Sequence, residues 1–527
     1  MKTSFPHYVR LPTAILVLCA TLASPLSSRA DEAQPALWNS VVTVDINWGK
    51  TLQISKTTPT LQIVVNPKLK QGSPVRERAY NIVRDLQADY VRFVPWFPYP
   101  QLAVAELAAP TPAGTSWKFD LIDPYVLDFL KATQGRKPVI DFGTIPQWMF
   151  RTEAPVAYPA DPDEPSFAYS QGTELIDPTG QQLGDYFGRL VSWYSKGGFT
   201  DEQGKRHSSG HHYAIPFWEV LNEPDLEHAT SPKEYALRYD AIVEGIRKVS
   251  PNTQFVGLSL ANPAENVEMI HHFLDPGNHK PGIPLDWISY HFYAIPATGE
   301  TINEWQYSLF HQAQGFADQV KIVDSIRRRA SPATRTMVNE VGVILRSDFL
   351  EIRSGKAGEA KIPKEYWNLS GGVFAYVFME LSKIGIDVVG ESQLVGYPTQ
   401  FPSVSMVDWN NGEANARVHV LRLLRENFGM GESIVANNGR PSQDNPVSYQ
   451  GYRAGGMRKI LLINKRLAAV DVLLPADAVG GSIKSVDSGS GSKELAGSRL
   501  ASATVRLAPF AVAVVSYREA AHVAAGL

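Results

Sequence analysis

From about residue 60 to 425 the sequence alternates short apolar runs with amphipathic helical patterns, eight times over. This alternation constrains the fold more than any other feature of the chain. Strands separated by a helix pair most readily in parallel, and a parallel sheet needs helices on its faces. The runs are TLQIVVN (60–66), YVRFVPWF (90–97), KPVIDFG (137–143), PFWEVLN (216–222), TQFVGLSL (253–260), DWISYHFY (286–293), RTMVNEVG (335–342) and DVVGESQLV (387–395). Between them lie helical patterns near 75–87 and 121–133. A third is marked by Leu183, Tyr186, Phe187, Leu190 and Tyr194 at helical spacing. A last helix over 414–428 closes the series. Eight such units predict a (β/α)8 TIM barrel. The competing doubly wound sheet announces itself with a glycine-rich turn after the first strand, and this chain has none.

The segment after the fourth run fixes the direction of the argument. VLNEPDL (220–226) is followed by Ser231, Pro232 and Glu234, a helix start with a capping box. Tyr235, Tyr239, Ile242, Ile246 and Val249 then form one apolar face. Glu223 is therefore placed between the C-terminal end of a strand and its helix, the face on which barrels carry their chemistry. After about residue 430 the texture changes. KILLINK (459–465), DVLLP (471–475), ATVRL (503–507) and VAVVSY (512–517) read as short strands separated by turns such as DSGSGSKE (487–494). They predict a β-sandwich over 431–527, to which VVTVDI (41–46) adds a strand from the other end. The barrel is assigned 31–430.

Composition removes several function classes. The chain has 527 residues with a net charge of −3 and no long basic run, which disfavours nucleic acid as a partner. Lys2 and Arg10, an apolar stretch from Leu11 to Leu26, and small residues at Ser28 and Ala30 read as a secretory signal over 1–30, cleaved before Asp31. The mature protein is then expected in the periplasm or outside the cell, without a membrane anchor. Cys19 is the one cysteine and lies inside that signal, so disulfides and thiolate chemistry are excluded from the mature chain. Oligomeric state carries no signature.

MVNEVGV (337–343) repeats the Asn-Glu pair of VLNEPDL at the end of another strand. Two carboxylates on one barrel face can cleave a glycosidic bond when one is protonated and the other ionised. WEVLNEP (218–224) on strand four and NEVG (339–342) on strand seven resemble the signature of clan A glycoside hydrolases, and within that clan the chain most resembles glycoside hydrolase family 39. The resemblance spans roughly 60–430, with the trailing sandwich also similar. It implies a retaining glycosidase acting on β-linked sugars, a β-xyloside first among them. Glu223 would be the acid/base, Glu340 the nucleophile, and Asn222 the donor to the sugar 2-hydroxyl. Tyr293 would orient the nucleophile, with Arg92 as the cation near it. No metal or organic cofactor is implied.

His291 lies two residues before Tyr293 and so projects to the same side of the strand. Trp96, Trp148 and Trp409 stand at or after strand ends, where indoles could stack on a sugar. His207, His211 and His212 match no usual zinc spacing and read as a structural loop. His271 and His272 are adjacent in a helical pattern and cannot face one point. Asp141 on strand three could project into the barrel mouth, without an evident task. Two other functions use the same features: a transglycosidase with the same carboxylates, and a non-catalytic glycan-binding barrel, against which the presence of both glutamates argues.

Overall fold

The computed structural model describes residues 41–95, 99–166, 171–349, 362–398, 400–439, 444–489 and 497–519. The expected signal over 1–30, Cys19 and Trp96 lie outside these residues. All eight expected strands form, as Thr58–Val64, Tyr90–Val94, Lys137–Ile140, Phe217–Glu219, Gln254–Leu260, Trp287–Ala294, Arg335–Val343 and Val388–Glu391. Each pairs in parallel with its neighbour, and strand eight returns to strand one through Val388 opposite Thr58 and Glu391 opposite Leu61. The result is a closed barrel.

The period of two along a strand builds the interior in layers. At the bottom, Tyr90, Val139, Phe217, Val256, Trp287, Met337 and Val388 form an apolar plug. The rings of Tyr90, Phe217 and Trp287 meet edge to face at 5.5–5.8 Å between centroids. Two residues further along the same strands stand Arg92, Asp141, Glu219, Ser289 and Asn339, all buried. The plug thus closes one end, and the polar residues above it face the C-terminal mouth.

Two irregularities re-aim side chains at that mouth. On strand seven the pairing jumps from Tyr290–Val338 to His291–Glu340, so Asn339 is an extra residue. A bulge of this kind breaks the alternation. Asn339 and Glu340, adjacent in sequence, can then both turn toward the barrel interior. On strand five the pairing jumps from Ser289–Leu258 to Tyr290–Leu260, leaving Ser259 as the extra residue. Leu258 and Ser259 take φ values of 76° and 48° there.

Strand four is held from outside by two helices, Gln181–Ser195 and Pro232–Arg247. Their backbones meet at Gly184 and Gly245. A Cβ on Gly245 would lie 1.9 Å from the Gly184 carbonyl oxygen, so only glycine permits this approach. The second helix begins with the expected capping box, Ser231 and Glu234 each accepting from the other's backbone N–H. Helices Ile302–Ala330 and Tyr366–Ile384 cover strands six to eight.

The C-terminal strands form a seven-stranded antiparallel sheet facing a three-stranded one. Val435, Ile460, Leu462, Val472, Leu507 and Val515 belong to the core between them. Residues before the barrel contribute to both sheets. Val42–Thr43 pairs with Val470–Leu473, and Ile46–Ile54 pairs with Ser433–Asn437 at one edge of the larger sheet. The hairpin Gly198–Thr200 with Arg206–Ser208 was not expected from sequence, because its strands are only three residues long. It carries His207, whose Nε2 meets Asp201 at 2.8 Å, while His211 meets Asp123 at 3.3 Å. Each histidine has its own carboxylate, as a structural loop would. Among the described residues no helix is long and apolar enough to cross a membrane.

Candidate active site

The loop after strand four is built from unusual backbone. Leu221 and Glu223 take φ values of 67° and 42°, and His228 and Ala229 follow at 57° and 45°. Left-handed conformations cost non-glycine residues about 1 kcal/mol or more each and collect where the surrounding structure demands them. Here the Glu223 N–H donates to the Ser259 carbonyl at 3.0 Å, tying the turn to the strand-five bulge. Asp225 steadies the other side, accepting from the backbone N–H groups of Ala261 and Asn262 at 3.0 and 2.8 Å. Glu223 is thereby turned toward the barrel axis with its side chain partly open to solvent.

Arg92 is the centre of the polar layer and is almost wholly buried. Its Nε–H donates to Glu219, and Nη1 donates to Gln62 Oε1 and Glu340 Oε1, each at 2.5 Å. Nη2 faces Asp141 Oδ2 at 2.7 Å, Asn222 Oδ1 at 2.8 Å and Ser259 Oγ at 3.1 Å. Every guanidinium proton has an acceptor, which fixes the group in one orientation. The contact also points the Asn222 oxygen at Arg92 and leaves its NH2 as the donor for anything above it.

Glu340 is gripped on both oxygens. Oε1 accepts from Arg92, and Oε2 accepts from the Tyr293 phenol at 2.6 Å. His291 Nδ1 stands 2.9 Å from Glu223 Oε1 and 3.6 Å from Glu340 Oε2, while its Nε2 meets Ser259 Oγ at 3.1 Å. One oxygen of each glutamate and a ring nitrogen of His291 all lie within 4.8 Å of one another. A cation could use that spacing. However, both ring nitrogens of His291 are already in hydrogen bonds, and Arg92 sits against the same carboxylate. The donor set therefore fits proton chemistry better than coordination.

The environments of the two glutamates push them apart. Burial raises the Glu223 pKa, and His291 only partly offsets it. Burial acts the same way on Glu340, but His291, Arg92 and the Tyr293 hydrogen bond outweigh it and hold that carboxyl below its usual value. His291 is also made more basic: burial opposes its charge, yet Glu340 and Glu223 more than compensate. Asp141 is pushed well above the carboxylate range by burial, with Arg92 opposing.

The structure thus brings Asn222, Glu223, Arg92, His291, Tyr293 and Glu340 together. It does not do the same for Trp148. Trp148 stands on the turn Gln147–Met149, half-buried against the core, its indole N–H donating to the Glu106 carbonyl at 2.8 Å. Those contacts make it a packing residue. Trp409 is half-buried in the turn between Val407 and Ala414. Sequence reasoning missed Gln62, Glu219, Ser259 and Ser392, all wholly buried among these groups. Glu219 and Gln62 could have been found by counting two residues along the strand from Phe217 and Thr60. The serines carry no such signal.

Residues 206–340 match the family model of glycosyl hydrolases family 39, an interval that contains both glutamates. The match bears out the resemblance drawn from the Asn-Glu motifs and supports a glycosidase with a carbohydrate substrate. No curated protein sequence matches this chain. Solved structures share the fold at low identity. A GH51 arabinofuranosidase from Xanthomonas axonopodis pv. citri superposes with a TM-score of 0.58 at 12% identity, over 90% of this chain and 99% of that one. A monomeric beta-xylosidase from Caulobacter crescentus CB15 gives 0.54 at 14% identity, over 91% and 100%. A GH30 endoxylanase from Clostridium papyrosolvens C71 gives 0.52 at 14% identity, over 91% and 100%.

Proposed function

We propose that this chain, with the pattern of glycosyl hydrolases family 39 running from residue 206 to 340, is a retaining glycosidase that cleaves β-linked sugars. The observation that carries the reading is the approach of the two carboxylates, whose facing oxygens lie within 4.8 Å. Retaining enzymes hold their carboxyls about 5–5.5 Å apart, whereas inverting ones leave about 6.5–9.5 Å for a water.

Glu223, with its raised pKa, carries the proton that the leaving oxygen needs. Glu340, kept ionised, attacks the anomeric carbon and forms a glycosyl-enzyme. Glu223 then removes a proton from a water that bonds to the anomeric carbon and displaces the Glu340 carboxylate, which frees the sugar. His291 Nδ1 aims the Glu223 carboxyl, and the Asn222 NH2 is free to donate to a sugar hydroxyl. A β-xyloside is the first substrate to try, since the resemblance implies it and one fold relative is a beta-xylosidase. Export through the signal at 1–30 belongs to the same proposal.

The test follows aryl β-glycoside hydrolysis by proton NMR. The first sugar released should be the β-anomer; first release of the α-anomer would rule out retention. If neither aryl glycosides nor plant or microbial polysaccharides are cleaved, the glycosidase reading fails. Where acceptor sugars divert most of the product into longer glycosides, the same site is a transglycosidase.

A bell-shaped pH profile should accompany turnover. Glu340 must be ionised and its pKa is lowered, so activity is lost as pH falls through that value. Glu223 must be protonated and its pKa is raised, so activity is lost as pH rises through it. The optimum should lie between the two. A kcat/KM that keeps rising to high pH would remove Glu223 as the acid.

A further inference from the structure

The grip on Glu340 does not end at Tyr293. The Tyr293 phenol also meets Ser392 Oγ at 2.5 Å, and Ser392 Oγ meets Gln62 Nε2 at 2.7 Å. Gln62 Oε1 in turn meets Arg92 Nη1 at 2.5 Å, and the same Nη1 reaches Glu340. The five side chains close a ring, with Gln62 from strand one, Arg92 from strand two, Tyr293 from strand six, Glu340 from strand seven and Ser392 just past strand eight. Gln62 and Ser392 are wholly buried, so no bulk water can substitute for a missing partner.

The direction of every hydrogen bond in this ring follows from one fact. A guanidinium can only donate. Gln62 must therefore present its oxygen to Arg92, which turns its NH2 toward Ser392. Ser392 accepts that bond and is left with one proton to give, and its remaining partner among the described residues is the Tyr293 oxygen. Tyr293, having accepted there, has its single proton for Glu340. The only acceptor that makes the circuit consistent is an ionised Glu340; a phenol turned toward Ser392 would set two oxygen lone pairs against each other at 2.6 Å.

We propose that Gln62 and Ser392 are positioning residues that commit the Tyr293 proton to Glu340 and so keep the nucleophile ionised. Neither residue faces the sugar directly. They act by polarising the phenol, since each donor in a chain strengthens the next. This inference rests on the glycosidase reading and on Glu340 as its nucleophile. The other charged or titratable groups facing Glu340 are Arg92 and Tyr293, His291 at 3.6 Å, and Glu223 within the same cluster. Asp141 and Glu219 act through Arg92.

The test is the pH dependence of kcat/KM for wild type, Ser392→Ala, Gln62→Leu, Tyr293→Phe and Ser392→Ala with Tyr293→Phe. Ser392→Ala should move the acid limb up by about half a pH unit or more. Gln62→Leu should move it the same way without adding charge, because Ser392, with no NH2 to accept from, can accept the Tyr293 proton itself. In the Tyr293→Phe background, Ser392→Ala should add no further shift. An acid limb that stays in place in both single variants overturns the proposal, even if kcat falls evenly at all pH values. So does an undiminished shift in the Tyr293→Phe background. If Ser392→Ala does not fold, Gln62→Leu alone decides by the same limb. A wild type that cleaves no glycoside would defeat the parent reading instead, before any variant is compared.

Discussion

Replacing Glu340 with Ala should lower turnover of a cleaved aryl β-glycoside by on the order of ten-thousand-fold or more, the scale on which removal of a covalent nucleophile acts. The protein should remain folded, because Ala leaves Arg92 paired to Glu219 and Asp141. Sodium azide separates this outcome from simple damage. Azide fits the space left by the carboxylate and attacks the anomeric carbon from the same side, giving an α-glycosyl azide. In Glu223→Ala the nucleophile is intact, so azide enters at the second step and gives the β-azide. Opposite configurations from the two variants would establish which glutamate does which task. Near-normal turnover in Glu340→Ala would mean that another group attacks.

The second large effect is on stability. Arg92→Leu removes the guanidinium that pairs with Asp141, Glu219 and Glu340. Breaking a buried pair by deleting one partner typically costs about 3–5 kcal/mol, and here Asp141 and Glu219 lose theirs while Glu340 keeps only His291. Without the guanidinium, burial is opposed less at Glu340, whose folded-state pKa rises, and Asp141, already raised by burial, is pushed further up. Stability from such groups is present below the unfolded pKa and is lost as pH rises through the folded value. The melting temperature of Arg92→Leu should therefore lie far below wild type at pH 7.5, and the gap should narrow as pH is lowered toward 5. A gap of constant size across that range would mean that the loss comes from packing of the arginine stem.

The difference between what sequence disclosed and what it hid has a physical pattern. Barrel strands are buried on both faces, so TLQIVVN or TQFVGLSL stand out as continuous apolar runs. The eight strands were legible for that reason. Strand eight was read as far as Val395 but ends at Glu391, since the apolar run continues into the loop. Glu223 and Glu340 were legible in strand-end motifs, and Arg92 and Tyr293 through the resemblance to clan A glycoside hydrolases. Ser259 and Ser392 were not. A serine in or beside a strand looks the same whether it lines a site or satisfies a core. Ser259 also depends on a bulge, which no periodicity in TQFVGLSL announces. The sandwich strand from residues 41–46 was expected, yet the larger edge strand Ile46–Ile54 was not, because INWGKTLQI mixes polar and apolar residues without clean alternation.

That edge strand has a bearing on how the protein is made. Ile46–Ile54 is translated early, but its partner Ser433–Asn437 emerges only after the whole barrel. During synthesis, a strand with open hydrogen-bonding groups waits while everything between is produced, and such edges invite association with other chains. A ribosome that stops after the last barrel helix would release a polypeptide with a complete set of catalytic groups and an unsealed seam. Completion of the message is thus read out at the beginning of the chain.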